Sequence, residues 1–353
     1  MWDLRDQTPE SFADRVRSKG HPIAVARRWT SAVFRHETFD PNTWTTDFQV
    51  PKSLVAPASS SPWPRLVLEA HVRSVDDGFE KLRFRTQDGL AVETVLIPLH
   101  KLGAVSVCLS SQVGCPMACA FCATARMTTR RNLAAWEIID QYLQARSLAR
   151  SQGRRITGAV FMGMGEPFLN YDRVIAAAEL LRCSYAGSIA ADKITISTVG
   201  LVPQIDRYTD EGHRYRLSIS LGAATDALRE QLVPVAARTP VVEVMAAARR
   251  HALARRDRVM LAYVCISGVN MAEADAQALG ALIGDTPVRL DLIDVTDPTG
   301  RFSPPSEPEM TAFRDALTRH VGQPVVRRYS GGKNIAAACG TLAGVGDRRG
   351  GSP

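Results

Sequence analysis

From about Cys108 onward, short β-branched runs alternate with longer amphipathic segments, and this alternation limits the fold of the 353-residue chain more than any other feature. Such a pattern reads as repeated βα units around a parallel sheet. The candidate strands are Ala104–Leu109, Gly158–Met162, Lys193–Ser197, Arg216–Leu221, Val259–Ile266, Val288–Val295 and Val325–Tyr329. Helical stretches lie between them at Leu133–Ala149, Asp172–Arg182, Val241–Ala254, Ala272–Ile283 and Glu307–His320. In the first of these, Ile138, Ile139, Tyr142, Leu143 and Ala145 recur at helical spacing and are expected to face the sheet. Residues 1–64 do not follow the alternation. Ser11–Lys19 and Ala24–Arg35 read as two helices with Trp29 and Phe34 as core anchors, and the Pro/Ser-rich run Pro57–Pro64 reads as a linker. Arg65–Val72, Lys81–Thr86 and Ala91–Ile97 read as an antiparallel meander within residues 65–103, leading into a catalytic core over 104–344. The tail, 345–353, reads as disordered.

The first candidate strand runs into Gly-Cys-Pro-Met-Ala-Cys-Ala-Phe-Cys, which sets Cys115, Cys119 and Cys122 at CxxxCxxC spacing. Three soft thiolates from one loop suit an iron–sulfur cluster better than a hard cation. A 4Fe-4S cluster held by three cysteines keeps one iron without a protein ligand, so a substrate or cofactor can coordinate there. The alternatives are a structural zinc, which wants four closed ligands, and ordinary packed cysteines; no further Cys or His lies nearby. In parallel α/β folds, sites gather at the carboxyl ends of strands, which is where this loop falls.

Composition narrows the setting. A net charge of +7 and a pI near 9.2 imply attraction to polyanions, and arginine dominates: Arg126, Arg130, Arg131, Arg146, Arg150, Arg154, Arg155, Arg327 and Arg328. Solvated helix faces are the competing explanation for those charges. No apolar run approaches the roughly 20 residues that cross a bilayer, and the first residues lack the apolar core of a signal peptide. Seven cysteines, scattered apart from the triplet, do not resemble a secreted disulfide framework. A cytoplasmic, monomeric protein without membrane contact is expected.

Beyond the cysteine loop, Met162-Gly163-Met164-Gly165-Glu166-Pro167 follows a strand and resembles the GGE-like element of the radical S-adenosylmethionine (SAM) superfamily, which binds the amino group of the methionine moiety. Val92-Glu93-Thr94-Val95, Val107-Cys108-Leu109-Ser110-Ser111-Gln112-Val113-Gly114-Cys115, Arg131-Asn132-Leu133, Ala337-Ala338-Cys339-Gly340 and Leu342-Ala343-Gly344 narrow the resemblance. In that order they resemble the RlmN/Cfr family of RNA adenine methyltransferases, over about residues 65 to 345. The resemblance implies a radical SAM partial (βα)6 barrel with a small N-terminal helical accessory region that binds RNA. It also implies one 4Fe-4S cluster on Cys115, Cys119 and Cys122, SAM, and an electron donor such as flavodoxin or ferredoxin. The implied substrate is an adenine, at carbon 2 or carbon 8, in ribosomal RNA and possibly transfer RNA.

These carbons are electron-poor and carry no lone pair, so direct polar methyl transfer is unpromising. The family's route, as it would map here, methylates Cys339, activates that methyl by a radical from a second SAM, and joins protein to RNA through a methylene bridge. Cys108 would then form a disulfide with Cys339 and release product, while Glu93 takes the ring proton. The remaining cofactor contacts carry over unevenly. Gly165, Glu166, Ser197, Ser220 and Leu221 match the family pattern. Gly222 stands where the family has histidine, Thr296 where it has asparagine, and Lys333 and Asn334 replace an acidic run. Cys183 and Cys265 match no family motif and read as packing residues. Two other readings stay open: a paralogue acting on another nucleotide or a peptide, and a cluster-containing RNA-binding regulator.

Overall fold

The computed structural model describes residues 3–59 and 63–343. Its spine is one ten-stranded sheet. A meander of β1 (Val67–Arg73), β2 (Glu80–Arg85) and β3 (Ala91–Pro98) pairs antiparallel with β4 (Ala104–Cys108). A two-residue ladder, β5 (Gln112–Val113) with β6 (Arg131–Asn132), closes the base of the cysteine loop. From β4 the sheet continues in parallel through β7 (Arg155–Phe161), β8 (Ile194–Thr198), β9 (Arg216–Ser220), β10 (Val259–Cys265), β11 (Val288–Asp294) and β12 (Val325–Arg328).

The crossovers are α5 (Ala135–Ser151), α6 (Tyr171–Arg182), α7 (Val202–Asp210), α8 (Asp226–Leu232) with α9 (Val241–Arg255), α10 (Glu273–Ile283) and α11 (Glu307–His320). Six βα units with a seventh parallel strand thus make the expected α/β partial barrel, left open because β12 ends the sheet at one edge and β1 at the other among the described residues. Central strands read as continuous apolar runs because both faces are covered, and every residue of β4 and β8 is buried. At the end of the series, α11 begins on a Ser306 N-cap whose hydroxyl accepts the Glu309 N–H, with Glu309 reaching back to the Ser306 N–H.

Helices α1 (Pro9–Ser18) and α2 (Ile23–Phe34) form as expected, and α3 (Pro41–Thr46) and α4 (Lys52–Ser59) follow them. Their core is continuous with that of the barrel. Trp29, fully buried, meets Phe12, Trp44 and Trp63 at ring separations of 5.5, 5.4 and 6.4 Å. The Pro/Ser-rich stretch is therefore folded at both ends: α4 covers its start, and Trp63 belongs to the core. The expected tail at 345–353 lies outside the described residues.

Candidate active site

The carboxyl ends of the parallel strands surround a cavity of about 230 Å³. Cys108 enters it from β4, Ser197 from β8, Ser220 from β9, Asp294 from β11 and Arg328 from β12. Between these ends come the cysteine loop, the turn Gly163–Pro167 after β7, and the C-terminal segment that carries Cys339.

Helix α5 fixes the base of the cysteine loop. Its buried Gln141 accepts from the Ser110 N–H (3.0 Å) and Thr94 Oγ1 (2.7 Å), and donates to the Ser110 carbonyl (3.1 Å). Asn170 donates to the carbonyls of Ser111 and Leu133, both at 2.8 Å. At the loop's far end the Ala123 N–H donates to the Gly340 carbonyl (2.7 Å) and Thr124 Oγ1 to the Leu342 carbonyl. The cluster loop and the Cys339 segment are thus stitched together across the opening.

Cys115, Cys119 and Cys122 all face the cavity. Burial, reinforced by charge repulsion from Glu166 and Cys122, pushes the Cys115 thiol up to about 12; Cys119 is also raised well above its ordinary value, by burial and then by its two partner cysteines. Buried, mutually repelling sulfurs next to a cavity suit a cationic inorganic centre, which removes both penalties. Three thiolates from one loop suit a cluster better than a structural zinc, which takes four protein ligands. Cys119 and Phe121 also pack on an apolar group that includes Leu232, Val233, Ile266 and Val295, a dry surround for such a group.

Glu166 is fully buried, and burial raises its carboxyl to about 7. Three donors oppose the rise: the Phe168 N–H (3.0 Å), the Val199 N–H (2.9 Å) and the Thr198 hydroxyl. The Glu166 N–H is in turn held by Gln112 Oε1 at 2.8 Å. A buried carboxylate on a cavity wall with no cation beside it suits an ammonium group. Gly165, Ser197, Ser220, Gly222 and Thr296 share that wall, with Ser197 and Ser220 hydroxyls 3.4 Å apart. Thr296 Oγ1 is buried without a hydrogen-bond partner, an acceptor and donor waiting for a ligand. Gly222 adopts φ +78°, and a Cβ there would meet Val233 Cγ2 at 3.3 Å, so the histidine of the family pattern does not fit this backbone unchanged.

Leu221 is placed differently from its neighbours. It is fully buried in the core and does not line the cavity, and only its carbonyl contributes, accepting from Arg229 Nε at 3.0 Å. Arg229, which sequence reading passed over, also donates to the carbonyls of Val199 (2.7 Å) and Thr239 (3.1 Å), tying the ends of β8 and β9 together.

Cys108 and Cys339, distant in sequence, line the same cavity. All seven cysteines are free thiols. Cys108 is buried and Cys339 exposed. Burial, then repulsion from Cys339, pushes Cys108 up to about 12, while Arg328 and a backbone bond at Met162 oppose the shift. Glu93 stands behind this wall rather than on it: its Oε2 accepts the Ala343 N–H (3.1 Å), and Lys81 Nζ lies 3.4 Å from its Oε1 and 3.3 Å from the Ala336 carbonyl. Cys265 is fully buried at the end of β10, and Cys183 caps α6.

Comparison with known proteins agrees with this geometry. The model of the radical SAM superfamily matches residues 109–278. A probable RNA methyltransferase of Myxococcus xanthus is 45% identical over 91% of this chain and 88% of its own length. A probable dual-specificity RNA methyltransferase RlmN of Heliobacterium modesticaldum is 37% identical over 97% of this chain and 90% of its own. The crystal structure of a radical SAM methyltransferase from Sphaerobacter thermophilus superposes with a TM-score of 0.87 at 37% identity, covering 97% of this chain and 99% of that one. With such coverage by relatives of one kind, around a cavity that gathers the three-cysteine loop, Glu166 and the Cys108–Cys339 pair, the chain belongs to the RlmN/Cfr family of radical SAM RNA methyltransferases.

Proposed function

We propose that this enzyme methylates carbon 2 or carbon 8 of an adenine in ribosomal RNA, with transfer RNA as the second substrate, by carrying the new carbon on Cys339. The observation that supports this reading most is the opening of Cys108 and Cys339 into the cavity that also holds the three-cysteine loop. An RNA-binding regulator needs neither thiol. When bound, the 4Fe-4S cluster and SAM supply a methyl group and the one-electron chemistry that activates a C–H bond.

Cys115, Cys119 and Cys122 would hold the cluster, and Glu166, Ser197, Ser220 and Thr296 would hold SAM, with Gly165 and Gly222 shaping the wall. Cys339, exposed on its segment, is reachable by both a methyl donor and an RNA base. Cys108 is buried on the wall of the same cavity, where it would meet a group carried by Cys339. Its attack forms the sulfur–sulfur bond as the carbon–sulfur bond breaks; the released carbon keeps that electron pair and takes a proton to become the methyl group, and external thiol restores the cysteine pair. Because burial keeps Cys108 protonated at neutral pH, proton removal precedes that attack. Glu93 would take the ring proton, its carboxylate keeping acceptor sites beyond the one that holds the Ala343 N–H. The helices before residue 65 would contact RNA, and a small reducing protein such as flavodoxin or ferredoxin would deliver electrons to a monomer in the cytoplasm. Among the described residues no helix is long and apolar enough to cross a membrane.

The test is Cys108→Ala incubated anaerobically with SAM, reductant and total RNA. A covalent protein–RNA adduct, absent from Cys339→Ala, is the expected result on a denaturing gel, and nucleoside mass spectrometry of the wild-type product reports the carbon modified. Normal turnover by Cys108→Ala would remove its resolving role.

A further inference from the structure

We propose that Tyr329 is a stacking platform for an RNA base at the mouth of the cavity, an inference that rests on the RNA methyltransferase reading above. Four aromatic side chains line the cavity: Phe79, Phe121, Phe161 and Tyr329. Phe79 and Phe161 are buried and Phe121 is half-buried, whereas Tyr329 is 73% exposed. The exposed ring is nonetheless held in place. Its hydroxyl donates to Asp77 Oδ2 at 2.9 Å, and its edge packs on Phe79 with centroids 6.1 Å apart and planes at 67°.

The surrounding loop is built around that orientation. Asp77 Oδ2 also accepts the Gly332 N–H at 2.7 Å, and Asn334 Nδ2 donates to Asp76 at 2.8 Å, so residues 329–334 are clamped to the β1–β2 turn. A Cβ on Gly331 would lie 2.4 Å from Phe79, 2.5 Å from Asp77 and 2.6 Å from Tyr329, so only glycine allows the ring, its partner and its anchor to approach this closely. Lys333 is exposed in the same loop, whereas Arg328, which also lines the cavity, lies 3.7 Å from the Asp291 carboxylate. A fixed aromatic face with an exposed cation in the same loop is the arrangement that binds an unpaired base and its phosphate. The cavity wall supplies Cys339, and the rim supplies the surface against which the base is oriented toward it.

The test uses reconstituted enzyme and a stem–loop RNA whose single-stranded loop carries 2-aminopurine in place of adenine, since stacking quenches that fluorophore. Tyr329→Ala and Tyr329→Leu should each weaken binding about tenfold or more and lose the quenching, the scale of one lost base–aromatic stack. Tyr329→Phe, which keeps the face and loses only the hydroxyl, should remain within about threefold of wild type. Tyr329→Leu fills the same space, so a folding defect confined to the alanine variant leaves the test intact. Binding and quenching unchanged in both variants would overturn the proposal. So would an equal loss in Tyr329→Phe, which would assign Tyr329 to anchoring the loop through Asp77. Wild-type enzyme that neither binds nor quenches the RNA would instead overturn the RNA reading, and the platform with it.

Discussion

Glu166 illustrates how burial prepares a side chain for a ligand before the ligand arrives. Its carboxyl sits near 7 because desolvation outweighs the Phe168, Val199 and Thr198 donors. An ammonium group binds the carboxylate and not the acid, so below about pH 7 a proton must leave first and SAM affinity should fall about tenfold per pH unit. Above that point affinity should level off. Calorimetric titration of SAM into reconstituted enzyme from about pH 5.5 to 8.5 measures this, with Glu166→Gln weak and flat throughout; a wild-type affinity independent of pH across the range would contradict the assignment. Glu166 and the cysteines stand out in the sequence because the chemistry that the family resemblance implies needs those residue types at fixed spacing. Leu221 follows the family pattern in sequence, and in the structure its side chain turns to the core just past Ser220, which faces the cavity. Arg229 and Tyr329 carried no such signal, since their partners come from segments far along the chain.

Among elements, α5 bears the most. It presents Gln141 to the end of β4 and, one residue earlier, the fully buried Asp140 to the N-terminal region. Asp140 pairs with Arg5 (3.2 Å) and Arg65 (2.7 Å) and accepts from the Leu66 N–H and Gln144, both at 2.8 Å. Arg5 is itself fully buried, shared with Asp3 and lying over the rings of Trp63 and Trp136. Asp140→Ala leaves Arg5 with one carboxylate and orphans a buried N–H, so unfolding free energy should drop by about 3 kcal/mol. Urea denaturation of the purified protein measures it, and a loss below about 1 kcal/mol would show that Asp3 alone satisfies Arg5. The long crossover helices were legible from apolar periodicity. The short α3, α4, α7 and α8 were not, because six to nine residues hold too few turns to display it. A local cue does exist at α3, an Asp40 N-cap before Pro41.

For the whole molecule, the net charge of +7 overstates the cationic surface open to RNA. Several arginines that the sequence offered as phosphate ligands are committed to carboxylates. Arg126 pairs with Asp297, Arg131 with Asp88 and Glu137, Arg146 and Arg150 with Glu37, Arg154 with Glu80, and Arg327 with Asp294 and Glu307. These pairs brace the fold around the site: Arg126 ties the cysteine loop to the segment after β11, and Arg131 joins the loop's closing ladder to α5. A phosphate competing for such a guanidinium must displace an anion already in place, which cancels much of the gain. Binding should therefore draw on fewer cations, Lys333 and Arg155 among the exposed ones. Each phosphate neutralised adds about −0.7 to −0.9 to the slope of log K against log salt, so a slope of about −2 to −4 is expected, not the −6 or steeper that the nine named arginines would give together. Fluorescence anisotropy with a labelled stem–loop RNA between about 50 and 300 mM KCl measures it. A slope beyond about −6 would mean that RNA breaks the internal pairs, and that the enzyme loosens around its substrate rather than receiving it on a preformed surface.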